Sequence, residues 1–544
     1  MRSFLSKLLP ACALVSLAAP AAASNVTEIP DNGSEQMGRG GAWVARASDP
    51  LATMYNPAGL AGQPTKLTLQ VNLPIQVTCL HRMRDPNDQT ADTALVDGSG
   101  YYPKVCDDTG TFPVPSLGLT LRATKRLGIG ILVTAPAGAA GEAWPEFVQT
   151  PTGQNYPAPE RYLATYTNAF FLSPTIGVGW EPVDRVRIGA SFIAGIANAT
   201  FSNASMGTNQ DSADPRTNDV KATLSTATVF VPGFTVGALW SAAPILDVAA
   251  WYKWSAPVDA SADVKTFQGY YSLGSPVTAG NSALADCGNG TAPGVCGPGL
   301  GHVKLAIPME AKLGFRFHKP RHELDPIENA HRRDPMAQDV WDAELDFTWA
   351  NDSAIDALEI RFPVGSDGVS GNIPVAGTPG HVPPLADVPH NYQDVFGIRL
   401  GGDYNVVPNK VAIRAGAFFE SAAARTDANG NATDMGTDFA AGARFGLALG
   451  ATLRIPLKKD VPPTQGGAIE FSAGYMHMFT FDLNNTSANG LRGLAGTPCD
   501  TPDAPNASGM CPNGIQAFRT PFLTNLGTIS VNTDVINVGA SYRF

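Results

Sequence analysis

Apolar and polar residues alternate along much of this chain with a period of two. In the stretch 535–544, Ile536, Val538, Ala540, Tyr542 and Phe544 share one face, and Val535, Asn537, Gly539, Ser541 and Arg543 share the other. Successive side chains of a strand point to opposite sides, so such a segment has one apolar face and one polar or small face. The same alternation predicts fourteen strands, near 65–77, 113–124, 126–135, 168–181, 184–200, 225–241, 245–257, 302–318, 338–350, 390–406, 409–420, 440–457, 466–482 and 530–544. The gaps between them alternate in length. Short ones include Pro182-Val183-Asp184 and Val407-Pro408-Asn409, and long ones include 78–112, 258–301 and 483–529.

An even number of alternating strands, with short turns on one side and long loops on the other, is the pattern of a transmembrane barrel. No run beyond the N-terminus approaches the roughly 18 apolar residues of a membrane helix. The expected fold is therefore all-β, a 14-stranded antiparallel transmembrane barrel over 65–544. A charge facing lipid costs about 2–4 kcal/mol at mid-bilayer. The charged faces must then point inward. They carry Lys304, Glu310, Lys312 and Arg316 in one strand, Asp342, Glu344 and Asp346 in the next, and Arg444 and Arg454 in 440–457. Trp180, Trp240, Tyr404 and Phe544 fall near the periplasmic strand ends and fit an interfacial aromatic girdle. The stretch 354–362 also alternates and is assigned to the fifth outer loop, above the membrane.

The ends of the chain add a compartment. Arg2 and Lys7 make a basic start, Leu8 to Leu17 is a short apolar run, and Ala21-Ala22-Ala23 gives a small-residue cleavage pattern, so 1–23 reads as a secretion signal. This places the barrel in the outer membrane of a Gram-negative bacterium. The net charge of −11 argues against a nucleic-acid partner. Six cysteines remain after the signal: Cys79 and Cys106, Cys287 and Cys296, Cys499 and Cys511. Each pair lies within one long loop. Local disulfides in an oxidising compartment are the simplest reading. Free thiols and a metal site are the alternatives, since spacing does not fix connectivity.

Residues 24–64 do not alternate. They are rich in Gly and Ala and cannot span a membrane. Irregular backbone at membrane depth is tolerated only against protein or water, so this segment is expected to be a hatch inside the lumen. Here the sequence resembles the FadL/OmpP1/TodX family of outer-membrane transporters for fatty acids and other hydrophobic compounds. The match runs through Gly38-Arg39-Gly40-Gly41-Ala42 and then Ser48-Asp49-Pro50-Leu51-Ala52-Thr53-Met54-Tyr55-Asn56-Pro57-Ala58-Gly59-Leu60. It includes an Asn-Pro-Ala motif at Asn56, Pro57 and Ala58. The resemblance implies gating by this hatch, with Gly38 and Arg39 also in its matched part. It implies ligand capture at the outer loops, an internal pocket, and a sideways exit at a kinked third strand. Gly128 and Gly130 lie in that strand. Ordinary barrel glycines are the competing reading of the two.

Other chemistry is sparse. His318, His322 and His331, with Glu323 and Glu328, read as a solvated charged turn rather than a metal site. His477 has no evident partner for catalysis, so no enzyme is expected. No cofactor or metal is expected either. Arg39 and Arg46 have two possible kinds of partner, a ligand carboxylate or acids of the hatch or wall. The implied partners are hydrophobic small molecules (fatty acids or hydrocarbons) and outer-membrane lipid, with the protein acting as a monomer and transport passive. A non-transporting surface-display barrel with braced loops is the alternative function.

Overall fold

The computed structural model describes residues 33–108, 113–135, 139–150, 152–206, 219–268, 270–273, 296–321, 331–363, 385–439, 441–457, 467–494 and 519–544. The signal assigned to 1–23 lies outside them.

Fourteen strands form the wall. They are β1 (Lys66–Arg82), β2 (Val114–Arg122), β3 (Leu127–Thr134), β4 (Ala164–Val183), β5 (Val186–Ser205), β6 (Val229–Ala243) and β7 (Leu246–Ser255). The second half comprises β8 (Glu310–Pro320), β9 (Asp339–Ala350), β10 (Val395–Val407), β11 (Val411–Glu420), β12 (Arg444–Pro456), β13 (Ala468–Thr480) and β14 (Gly527–Arg543). Each pairs antiparallel with the next. A ladder from Lys66↔Arg543 to Arg82↔Gly527 closes the ring. Closure removes the sheet edges that lipid cannot solvate.

The wall alternates as its sequence dictates. In β12, Leu447, Leu449, Leu453 and Ile455 face outward and are exposed, while Arg444, Ala448, Thr452 and Arg454 are buried inside. The girdle residues Trp180, Trp240, Tyr404 and Phe544 are about half exposed or more, as lipid-facing side chains must be in a protein without its bilayer.

One predicted strand is two. The stretch 302–318 breaks between Leu305 and Glu310, where Pro308 has no N–H to give a ladder. Below the break the expected inward face holds for Glu310, Lys312 and Arg316. Above it the parity reverses. Val303 is buried, and Lys304 is exposed and pairs with Glu359 at 3.3 Å. The segment Cys296–Leu305 belongs to an extension of the wall sheet that rises from the outer end of β5. It also contains Val220–Thr226, Val258–Gln268 and Ala357–Arg361. The alternating stretch 354–362 therefore sits above the wall.

The outer loops form a packed cap. One apolar core joins Leu80, Val105, Trp144, Ile355, Tyr392, Ala423 and Met435. A charged core joins three loops, because Arg161 contacts Asp92 at 2.7 Å and Asp219 at 2.6 Å, with all three buried. Cys79 and Cys106 form a disulfide, with Cys79 in the outer end of β1 rather than in the loop. Of the other two pairs, Cys287, Cys499 and Cys511 lie outside the described residues, and Cys296 opens the strand Cys296–Leu305.

Candidate functional site

Residues 33–64 fill the ring. Two short helices, α1 (Ser34–Gly38) and α2 (Ala52–Tyr55), and a 3-10 turn at Pro57–Leu60 are joined by irregular backbone. Almost every residue of the segment is buried. It touches all fourteen strands. The closest approaches are made where the wall offers an inward glycine, because a β-carbon there would overlap the segment's backbone. A Cβ on Gly128 would meet the Leu60 carbonyl, on Gly189 the Pro57–Ala58 peptide, and on Gly401 and Gly416 the Arg39 carbonyl. Gly40 and Gly41 have φ of 61° and 78°, a left-handed turn that favours glycine. That turn sends the chain away from Arg39 toward β9.

Irregular backbone leaves donors that need partners. Row Asp342-Glu344-Asp346 of β9 supplies them. Asp346 Oδ2 accepts from the amides of Trp43 at 2.8 Å and Val44 at 3.1 Å, and Glu344 Oε1 accepts from Ala45 at 2.6 Å. The same row and Asp403 of β10 hold two arginines. Arg39 donates to Asp342 at 2.6 Å, Asp403 at 2.7 Å and Glu344 at 3.1 Å. Arg46 bonds Glu35, Asp342 and Asp403. Burial opposes both charges, but Asp342 and Asp403 outweigh it and raise both pKa values. The two arginines therefore meet wall acids, the second of the partners expected from sequence.

Inward-facing residues change character with height. On β11 to β14 the periplasmic end is charged: Arg414, Arg454, Glu470 and Arg543 are buried there. Next come small residues beside the segment, Gly416, Gly450, Gly474 and Gly539. Above them lies an apolar cluster of Phe418, Ala448, Met476, Met478 and Val535, closed from below by Met37 of α1. The cluster was not predicted. Its signal was present in the order charged, small, apolar along each inward row.

Beneath the segment is a small polar recess of about 40 Å³, lined by Glu35, Asp49, Lys66, Asp334, Arg454 and Glu470 among others. Asp49 is buried there and accepts from the Leu51 amide at 2.8 Å. Burial, then the Glu35 carboxylate, pushes its pKa from 3.8 up to about 7, against the pull of Lys66. A carboxyl raised on folding binds its proton more tightly in the folded state. Stability is therefore lost as pH rises from about 4 to 7 and is flat above. Asp49→Asn keeps the acceptor and removes this loss. It should match the parent at pH 4 and exceed it by up to ~4 kcal/mol at pH 8. Urea titrations at both pH values, followed by gel mobility of unheated samples, check this. An equal difference at the two pH values would refute it.

The predicted site residues occupy two opposite walls. Gly38 and Arg39 lie against β9 to β12. Asn56, Pro57 and Ala58 lie against β4 to β6, where Gly179, Gly189 and Gly237 admit them. Asn56 donates to the Val44 carbonyl at 2.7 Å and accepts from the Ala58 amide at 3.2 Å, and so fixes the turn. Gly128 and Gly130 of β3 are paired on both sides, with β2 and β4. The described ladder between β2 and β3 ends further out, at Leu117↔Val133. Beyond it β2 pairs with β1 as far as Val114, and Ala139–Ala143 pairs with β4.

No family model matches the sequence, and no curated protein does. Solved structures do. A Pseudomonas aeruginosa FadL homologue is 16% identical, aligns over 95% of this chain and 100% of its own, and has a TM-score of 0.63. The P. putida toluene transporter TodX is 13% identical over 95% and 99%, with a TM-score of 0.54. The Ralstonia pickettii toluene transporter TbuX is 12% identical over 94% and 98%, with a TM-score of 0.50. With its closed ring of fourteen strands, its lipid-facing apolar belt and its filled lumen, this chain has the FadL/TodX fold of the Gram-negative outer membrane.

Proposed function

We propose that this barrel carries hydrophobic small molecules passively across the outer membrane, with the segment 24–64 as its hatch. The observation that carries this is the layering of the lumen, an apolar cluster above a glycine-lined layer and a charged recess. A hydrophobic ligand captured at the cap gains roughly 0.8 kcal/mol for each CH₂ it buries among Phe418, Met476 and Met478. Methionine suits such a site because its unbranched side chain adapts to different shapes. Going straight down would force the same ligand past Arg454, Glu470 and Asp334, where it meets water and charge. The sideways route is the favourable one. It is supported by the end of the β2–β3 ladder above Leu117↔Val133, at the height of the outer part of the wall. The two toluene transporters with this fold support a hydrocarbon as one ligand class, and fatty acids are the other.

The test is uptake of labelled oleate and labelled toluene by cells that lack their own outer-membrane transporter for them. The parent is compared at matched surface levels with Phe418→Asp and with the double variant Asn56→Ala, Pro57→Ala. Losing an apolar contact of ~2 kcal/mol should lower uptake through Phe418→Asp by roughly tenfold or more. The double variant should lose hatch-dependent uptake. No uptake of either compound by a correctly inserted parent would overturn transport of both classes and favour the surface-display reading.

A further inference from the structure

We propose that Glu181, Asp184 and His331 form a binding site for one divalent metal ion of the zinc class at the periplasmic rim. The three come from two turns. Glu181 lies near the periplasmic end of β4, Asp184 in the turn to β5, and His331 in the long periplasmic connection between β8 and β9. Their ligand atoms all lie within 4.8 Å of one another. Glu181 is buried, and its Oε2 stands 3.0 Å from His331 Nδ1. An imidazole nitrogen with two carboxylate oxygens is a donor set that zinc accepts, with water in the fourth place.

The surrounding groups set the terms of binding. Glu181 Oε1 accepts from the Arg185 amide at 3.0 Å and lies 3.6 Å from Arg187. Asp184 is 73% exposed and paired with Arg126. An exposed pair of that kind is weak, so a divalent ion displaces Arg126 at little cost.

The position gives the ion a consequence. The His331 carbonyl lies against Gly62, and the Arg333 amide donates to the Gly62 carbonyl at 2.9 Å. Arg333 also donates from its side chain to the carbonyls of Ala45 and Arg46, at 2.7 and 2.6 Å. A metal at His331 would pin this connection to the wall and brace the floor of the lumen-filling segment. Spacing along the chain grouped His331 with His318 and His322. The fold instead sets it beside acids from another turn, and His318 bonds Asp339 at 2.9 Å.

The experiment is calorimetric titration of the full-length protein in detergent with ZnCl₂ at pH 7.5. The variants are His331→Ala, Asp184→Asn and, as a control in the outer sheet, His302→Ala. The parent should bind one equivalent saturably. His331→Ala and Asp184→Asn should each weaken binding by roughly tenfold or more, and His302→Ala should leave it unchanged. Asp184 is exposed, so its variant tests the site even if His331→Ala fails to assemble. Absence of saturable binding by the parent, or affinity unchanged in Asp184→Asn, would overturn the site. Neither result bears on transport, which uptake reads separately.

Discussion

Gly189→Val is expected to give a barrel that inserts but leaks. Gly189 faces inward on β5, between Gly179 on β4 and Gly237 on β6, and all three lie against the Asn56–Pro57 turn. The atoms a new β-carbon would overlap are the Pro57 carbonyl group and the Ala58 nitrogen. These are backbone and cannot rotate away as a side-chain end would. Overpacking of this kind costs about 1–3 kcal/mol or more, and it falls on the docked segment rather than on the wall. The lipid face of β5 keeps Ile188 and Phe192, so membrane insertion is untouched. Planar-bilayer recordings should show steps of open-pore conductance that the parent lacks, and cells should become sensitive to large polar antibiotics. Gly189→Ala should lie between the two. A Gly189→Val protein as tight as the parent would show that these contacts do not hold the segment in place.

Arg39→Met is expected to loosen the segment from the other side. Asp342, Glu344 and Asp403 would remain buried with one fewer counter-charge. Removing one partner of a buried ionic cluster typically costs about 3–5 kcal/mol, because the charges left behind cannot regain water. Urea should release the segment at lower concentration, read as earlier protease cleavage between residues 33 and 64. Asp403→Asn added to Arg39→Met should recover part of the loss, since it removes one orphaned charge. Coupling of this sign is what a double-mutant cycle detects between groups in contact. If the double variant is no better than Arg39→Met alone, the arginine acts by packing and not by charge.

The strands were legible because membrane and lumen impose opposite demands on alternate residues. All fourteen predicted stretches overlap wall strands. The misread parts lie where that demand stops. Above the bilayer both faces of a strand meet protein or water, so Lys304 and Val303 follow the outer sheet and not the wall. The paired cysteines Cys79 and Cys106 were visible as a local loop couple, but the extension of β1 to Arg82 was not. The segment's burial was legible from its lack of alternation. Its partners were not, because inward glycines such as Gly189 and Gly416 acquire meaning only when the backbone opposite them is known. The apolar cluster at Phe418 and Met476 was hidden for a related reason. Alternation says which side a residue faces, and says nothing about its depth.

Ser34 gives the closed ring a consequence for how it is made. Its amide donates to Gln70 of β1 at 2.6 Å, and its hydroxyl bonds Asn537 of β14. Those two strands meet last in chain order, so one residue from the start of the described chain bridges the final seam from within. Contacts this distant in sequence form late, since the entropy of closing so large a loop must be met first. The ladder between the two strands is made by backbone groups, and Ser34 adds its bonds through the side chains of Gln70 and Asn537, so the docked segment braces the seam from inside the lumen. The front of the chain is thus stapled to the strand at its back, and a docked segment resists reopening of the seam that closed last in chain order.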